Sequence, residues 1–500
     1  MSYVYHRWIR VGLNSLSERV LVTTLTPLTP PLVVDLDGTL LRSDMLLEAG
    51  LEFVRHQPLG LLKPFFWLIK GKAALKERLA YATDMDVSVL PYDHEVIRLI
   101  QEERKEGREV VLATASHFSL AERIAEHLQL FDRVLASDSD RNLSSHSKRD
   151  LLVESYGEQG FDYIGNSEDD LSVWSKARKS YVVNPRGSVE RCALALGNVE
   201  QVIHSNSSGV KDWLKALRLH QWMKNLLIFV PLLAAHQLAS LTLLLQGVLA
   251  FFLFGLCASS VYLLNDLLDL PDDRHHPTKR NRPFASGRVP IIFGLVVFPL
   301  LLAGAFIGAA VSLSWQFCGI LLVYYILTLT YSLFLKRLMA VDVIALAMLY
   351  TVRIVAGAVA FSLALTFWVL AFSMFIFLSL ALVKRYAELC DARKKGDTQK
   401  TRGRGYYPSD LEMISSLGAS SGYLAVMVLA LYIHDPATSE LYKYPQVIWL
   451  ACPLLLFWVT RVWMITHRGK MHDDPVVFAI RDRISLAVGV MFGLVFWIAA

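Results

Sequence analysis

Beyond Lys224 the chain is a succession of uncharged stretches, each near the ~20 residues that an α-helix needs to cross a ~30 Å hydrocarbon layer. Every backbone polar group inside hydrocarbon must be paired within its own segment, so such a run folds as a helical bundle. The stretches lie near residues 225–239, 243–264, 290–310, 313–334, 341–361, 365–383, 413–433, 446–466 and 484–500, which predicts nine transmembrane helices with a short first one. Residues 1–210 are mixed and polar by contrast. Composition agrees: 54% hydrophobic and 19% charged residues, with a mean hydropathy of +0.39, are too apolar for an ordinary soluble protein.

Orientation follows from the loops. Those after even-numbered stretches hold Arg274, Lys279, Arg280, Arg282 and Arg288, then Lys336 and Arg337, then the run from Lys384 to Arg404, then Arg468, Lys470, Arg481 and Arg483. Those after odd-numbered stretches hold essentially only Lys443. The excess of Lys and Arg on one side predicts a multi-pass protein of the cytoplasmic (inner) membrane, with its N-terminal region in the cytoplasm and its C-terminus outside. Met1–Pro31 lacks the apolar core and small-residue cleavage site of a signal peptide. The five cysteines form no close pair and argue against a disulfide framework or a zinc site.

A charged block interrupts the apolar half. From Asn265 to Gly287, carboxylates are followed by cations between two long apolar stretches. Charge at that depth is costly, so the block reads as a functional site, with a solvated basic loop as the alternative. Asp266, Asp269 and Asp273 are spaced three and four apart, which brings them to one helix face. Such a face suits Mg²⁺, which takes one or two carboxylates and completes its shell with water and substrate phosphates. Lys279, Arg280 and Arg282 suit the remaining phosphate charge. The pattern Asn265-Asp266-x-x-Asp269-x-x-x-Asp273 resembles the first aspartate-rich motif of the UbiA superfamily of intramembrane prenyltransferases. That resemblance implies a nine-helix bundle around a central cavity, with a metal–diphosphate site at its cytoplasmic mouth.

The polar half has its own signature. Leu32-Val33-Val34-Asp35-Leu36-Asp37-Gly38-Thr39-Leu40 reads as a buried strand ending in two carboxylates and a glycine turn, and open α/β sheets bind ligands at the carboxyl ends of their strands. One acid can attack phosphorus while the second protonates the leaving oxygen. This motif, the strand Val110–Thr114, Lys148, and the loop Tyr163-Ile164-Gly165-Asn166-Ser167-Glu168-Asp169-Asp170 resemble, in order, the four motifs of haloacid dehalogenase-like phosphatases. The resemblance implies a Rossmann-like α/β domain in which Asp35 is the nucleophile, Asp37 the general acid and base, Thr114 a phosphate hydrogen-bonder and Lys148 the charge neutraliser. It also implies that Asp170, with Asp35 and the backbone carbonyl of Asp37, holds Mg²⁺. Asn166 stands where the family commonly has aspartate, which leaves open a degenerate, structural domain. The insert at about 43–107 would be a helical cap. Its stretch Leu59–Lys70 is apolar with basic edges and suits either a membrane surface or the packing of a cap helix.

Ser205-Asn206-Ser207-Ser208-Gly209 reads as a linker. After it, Trp213, Leu214, Leu217 and Trp222 alternate with Lys211, Lys215, Arg218 and Lys224, as in an interfacial helix or in simple positive-inside anchoring. The expected organisation is an extension over 1–30, the phosphatase-like domain over 31–204, a linker over 205–212 and the membrane domain over 213–500. Tyr331, Lys336 and Asp342 lie near the ends of spans, with Arg353 about three turns deeper. Aromatic prenyltransferases of the superfamily usually carry a second Asp-x-x-x-Asp motif where this chain has Lys384-Arg385-x-x-Glu388. The departure shifts the resemblance toward the decaprenyl-phosphate phosphoribosyltransferase branch, whose acceptor itself carries a phosphate. The loop His467–Pro475 through Arg483 also resembles that branch, or is a plain charged loop.

The expected activity is transfer of 5-phosphoribosyl from phosphoribosyl diphosphate to a polyprenyl phosphate, followed by removal of the 5-phosphate. Alternatives are an aromatic polyprenyltransferase and a non-catalytic lipid-binding protein. The implied partners are a polyprenyl lipid, a diphosphate-containing substrate and the bilayer, with no nucleic acid.

Overall fold

The computed structural model describes residues 29–138, 141–205, 208–396, 399, 404–435, 442–471 and 474–499. The N-terminal part is built on six parallel strands: β1 (Leu32–Val34), β2 (Val110–His117), β3 (Arg133–Ser137), β4 (Asp162–Gly165), β5 (Ser180–Val183) and β6 (Val199–Ile203). Their order is β3-β2-β1-β4-β5-β6. Chain direction along the sheet therefore reverses between β1 and β4, and a crevice opens there beyond the carboxyl ends of the strands. Helices cover both faces, so the strands are apolar runs and β1, β4 and β5 are buried throughout. These helices are α1 (Met45–His56), α2 (Lys63–Ile69), α3 (Lys72–Ala82), α4 (His94–Lys105), α5 (Phe118–Leu128), α6 (Ser145–Tyr156), α7 (Leu171–Trp174) and α8 (Gly187–Ala195). Between β1 and α4, α1 to α3 form the helical insert.

The second part is helical. Short α9 (Val210–Ala216) and α10 (Val230–Ala234) lead into α11 (Leu241–Leu268), α12 (Leu270–His275), α13 (Ile291–Ser312), α14 (Trp315–Leu333), α15 (Val341–Ala360), α16 (Phe367–Lys394), α17 (Leu411–His434), α18 (Ala451–His467), α19 (Pro475–Arg481) and α20 (Arg483–Ala499). Seven helices among the described residues are long and apolar enough to cross a membrane, or eight if α19 and α20, bent by 82°, are one broken span. The chain is a multi-pass membrane protein.

Seven or eight such helices among the described residues leave the expected nine unconfirmed, and the difference lies in the first stretch. The stretch at 225–239 becomes a 3-10 segment, Leu219–Phe229, followed by the five-residue α10 with Pro231 near its start. Fifteen residues of α-helix rise only about 22 Å, and a proline removes one of the hydrogen bonds a lipid-facing helix needs. One side of the segment packs on α11 and α15 instead, through Ile228 and Leu232. Gly357 of α15 lies so close to it that an added Cβ would stand 1.9 Å from the Ile228 carbonyl oxygen.

The two parts meet over a built interface. Leu47 and Leu51 of α1 pack into an apolar cluster with Leu263, Leu267 and Leu270. Beside it, Arg274 of α12 donates to Glu48 at 2.6 and 3.0 Å, and both side chains are about 95% buried (5% and 4% exposed). Arg55 donates to Asp272 at 2.7 Å, and His275 approaches Asp86 at 3.0 Å. The phosphatase-like part thus sits on the basic end of the bundle, against the helix that carries Asp273.

Candidate functional site

At the crevice of the sheet, β1 delivers Asp35 and the following turn delivers Asp37. Gly38 has φ +77°, and a Cβ there would meet Asn166 Nδ2 at 2.1 Å, so only glycine lets the β1 and β4 loops approach this closely. Lys148 of α6 donates to Asp35 Oδ1 at 2.6 Å and to the Tyr163 hydroxyl at 2.9 Å, and lies 3.9 Å from Asp170. Asp170 is fixed by the Tyr163 hydroxyl (2.7 Å), the Asn166 and Ser167 N–H groups (2.9 and 3.0 Å) and Ser167 Oγ (3.0 Å). Asp37 accepts from the Met45 N–H and from Ser116 Oγ, each at 2.7 Å. Thr114 is fully buried at the same strand ends, its hydroxyl accepting from the Ser116 N–H at 2.9 Å. Asp35, Asp37, Thr114, Lys148 and Asp170 therefore share one crevice.

Its electrostatics carry surplus negative charge. Burial, reinforced by Asp170 and Asp37 and opposed by Lys148, pushes the Asp35 carboxyl up to about 7. Burial likewise pushes Asp37 up to about 6, with Asp44 adding to it. Burial opposes the charge on Lys148, but Asp35 and Asp170 outweigh it and hold its value above the usual lysine range. Asp35 and Asp170 flank the Lys148 ammonium, and their carboxylates with the Asp37 backbone carbonyl are an oxygen set that fits Mg²⁺. A further cation was not singled out from sequence. Lys76 of the insert reaches in to donate to the Ala115 carbonyl (2.6 Å) and to Asn142 Oδ1 (3.2 Å).

The second site lies at the basic mouth of the bundle. Asp266 is on the last turn of α11, Asp269 at its end, and Asp273 on α12, with the Asp273 N–H still bonded to the Asp269 carbonyl at 2.8 Å across the break. Their carboxylates divide between cations. Arg282 donates to Asp266 at 3.1 Å and to Asp273 at 2.6 Å, Arg218 donates to both Asp266 oxygens through Nε and Nη2, and Lys336 donates to Asp269 at 3.1 Å. Among the described residues no three His, Cys, Asp or Glu side chains converge as a metal cage. The oxygen set still suits Mg²⁺: beside Asp266, the Asn265 Oδ1 atom is buried with no hydrogen-bond partner. Lys279 is exposed on the rim.

Deeper residues form two networks. Asp342 accepts from the Tyr331 hydroxyl at 2.9 Å and from the buried Arg385, which also pairs with Glu388, while Arg404 donates to Tyr331 at 3.0 Å. Lys384, one residue before Arg385, turns about 100° around α16 and faces elsewhere. It lies 3.6 Å from Asp474, which also receives Lys224 at 2.7 Å and the Tyr350 hydroxyl at 2.9 Å. Burial opposes charge on Asp474, but Lys224 and Lys384 outweigh it and hold its carboxyl well below the usual range. Arg353 donates only to neutral groups among the described residues: Asn225 Oδ1 and the Tyr324 hydroxyl at 3.1 Å, and the Leu349 carbonyl. The sequence marked Lys224 and Arg218 as anchoring cations and Asp474 as part of a charged loop; their partners set them within the site. His472 and Asp473 of that loop lie outside the described residues.

The sequence of residues 226–485 matches the family model of the UbiA prenyltransferase family, and residues 32–173 match that of haloacid dehalogenase-like hydrolases. An uncharacterized protein, y4nM, of Sinorhizobium fredii is 39% identical over 94% of this chain and 91% of its own length. Nodulation protein NoeC of Azorhizobium caulinodans is 36% identical over 56% of this chain and 92% of its own. Decaprenyl-phosphate phosphoribosyltransferase of Mycobacterium tuberculosis is 30% identical over 54% of this chain and 88% of its own.

Proposed function

Because the chain belongs to the UbiA prenyltransferase family and carries a haloacid dehalogenase-like domain ahead of that bundle, we propose that it is a two-step membrane enzyme. The bundle transfers 5-phosphoribosyl from phosphoribosyl diphosphate to a polyprenyl phosphate, and the N-terminal domain removes the 5-phosphate of the lipid product. The observation that carries this reading is the distribution of cations. A second aspartate motif would add negative charge to hold a second metal, whereas this chain places Lys384 with Lys224 around Asp474 and buries Arg385 against Asp342. Two phosphate-bearing substrates meeting at one mouth need such compensation. The similarity to decaprenyl-phosphate phosphoribosyltransferases supports the same choice.

In this reading Asp266, Asp269 and Asp273, with Asn265, hold Mg²⁺, which neutralises the leaving diphosphate when bound. Lys279 on the rim donates to diphosphate oxygens, as do Arg282 and Lys336 once their carboxylates release them, and the acceptor phosphate oxygen attacks the anomeric carbon. Tyr331, Asp342, Arg385 and Glu388 position the mouth around the substrates, and Arg353 and Lys384 supply positive charge toward the acceptor. In the other domain Asp35 attacks phosphorus, Asp37 gives a proton to the leaving sugar oxygen and then takes one from water, and Thr114 and Lys148 hold the phosphoryl oxygens. Asp35, Asp170 and the Asp37 carbonyl would hold Mg²⁺, which would offset the charge there. In this reading the domain stands on the cytoplasmic side of the inner membrane, a placement the excess of Lys and Arg in the loops supports.

The test is a choice of substrates. Membranes containing the protein should form organic-soluble product from labelled phosphoribosyl diphosphate and polyprenyl phosphate. Product only from polyprenyl diphosphate and an aromatic acid would replace this reading with aromatic prenyl transfer.

A further inference from the structure

The helical insert carries a surface that neither site uses. Over Pro58–Ile69, Leu59, Leu62, Phe65, Phe66 and Ile69 stand between 60% and fully exposed. Membrane-lying segments show this pattern, and a soluble cap does not, since monomeric proteins rarely leave contiguous apolar patches of this kind. The underside is anchored, because Trp67 packs on Phe53 of α1 with ring centroids 5.1 Å apart. The segment is apolar but too short to cross a bilayer: twelve residues of helix rise about 18 Å.

Charge and position select the occupant. From Pro58 to Lys76 there are four lysines and no acid, and Lys63, Lys70 and Lys72 are exposed at the edges of the apolar face. Such an edge complements an anionic leaflet, where each basic residue near the surface adds to binding. The surface is also continuous with the interface already described. Three residues before Pro58, Arg55 is tied to Asp272 at the mouth of the bundle, and Leu51 packs against Leu267 and Leu270. The segment therefore leaves the bundle at the level of the membrane surface. On its other side, Gly71 (φ +107°, with open space around it) joins it to α3, whose Lys76 reaches the phosphatase-like crevice five residues later.

We propose that Pro58–Ile69 lies in the headgroup layer of the leaflet beside the basic mouth, with its leucines and phenylalanines among acyl chains and its lysines against lipid phosphates. The crevice then meets phosphate monoesters presented by membrane lipids rather than soluble ones. The choice of substrate rests on the phosphatase reading above; the seating in the membrane does not.

Two measurements on the full chain in nanodiscs of phosphatidylethanolamine and phosphatidylglycerol decide it. With photoreactive benzoylphenylalanine in place of Leu62 or Phe66, irradiation should give phospholipid adducts. Adducts to a second copy of the chain, or no lipid adduct, would overturn the seating. With Leu62→Glu and Phe66→Glu combined, hydrolysis of a lipid-borne phosphate monoester should fall about tenfold or more as its effective concentration is lost, while hydrolysis of p-nitrophenyl phosphate stays the same. Equal loss on both substrates, or none on the lipid, would overturn the substrate half. A wild-type chain that hydrolyses neither would sink the phosphatase reading, and the cross-link would still decide the seating.

Discussion

Replacing Arg274 by leucine should loosen the two parts of this protein from one another. The Glu48 carboxylate is 4% exposed and among the described residues holds only the Arg274 guanidinium and the Ser43 hydroxyl, so the substitution leaves a buried charge with one neutral donor. Removing one partner of such a pair costs about 3–5 kcal/mol, and the Ala285 carbonyl loses its donor as well. At about 1.4 kcal/mol per factor of ten, the separated state should become at least a hundredfold more populated. A thiol at Leu51, which packs into the shared apolar cluster, reads that population as a labelling rate in the full chain. Glu48→Leu alone strands the arginine and should act in the same direction. Both leucines together remove the charges and keep apolar volume, so the double variant should return to within about 2 kcal/mol of the wild type. Rates within about threefold of wild type in the single variants, or costs that simply add, would refute the view that this pair clamps the domains.

Asp269→Asn should lower transfer at least a hundredfold with the protein still folded in membranes, because it removes a charged oxygen rather than a packing contact; near-normal turnover would sink the metal assignment. Asp35→Asn should stop dephosphorylation and leave transfer intact, so that the phosphorylated lipid accumulates in an organic extract. If the extract matches wild type, the domain is inactive or serves another substrate. Gly357→Ala should lower the thermal midpoint in detergent, since its Cβ would stand 1.9 Å from a backbone oxygen and overpacking costs about 1–3 kcal/mol or more.

What the sequence disclosed follows from how local each signal is. The strand Leu32–Val34 and its two acids lie within one short run, because a buried parallel strand must be continuously apolar and must end where the ligand begins. The aspartates of α11 and α12 were legible for the same reason. Their ion pairs were not. Arg218 lies 48 residues from Asp266, Lys224 lies 250 from Asp474, and Glu48 lies 226 from Arg274, so only the packing of helices decides those partners. Spacing placed three carboxylates on one face, and packing then divided them among Arg218, Arg282 and Lys336. The first apolar stretch, a 3-10 segment and a short helix in the structure, shows that length and hydropathy alone do not register what Pro231 does to a short segment that has neighbours to pack against.

The central claim is that one chain both builds and trims a sugar-phosphate lipid. Phosphoribosyl diphosphate carrying one label in the ribose carbons and another in the 5-phosphate, incubated with the purified protein, Mg²⁺ and polyprenyl phosphate, tests it in one time course. The ribose label should enter the organic phase while the 5-phosphate label is released as inorganic phosphate. A ribose label that never leaves the aqueous phase would contradict the transfer, and two labels that stay together in the lipid would contradict the trimming.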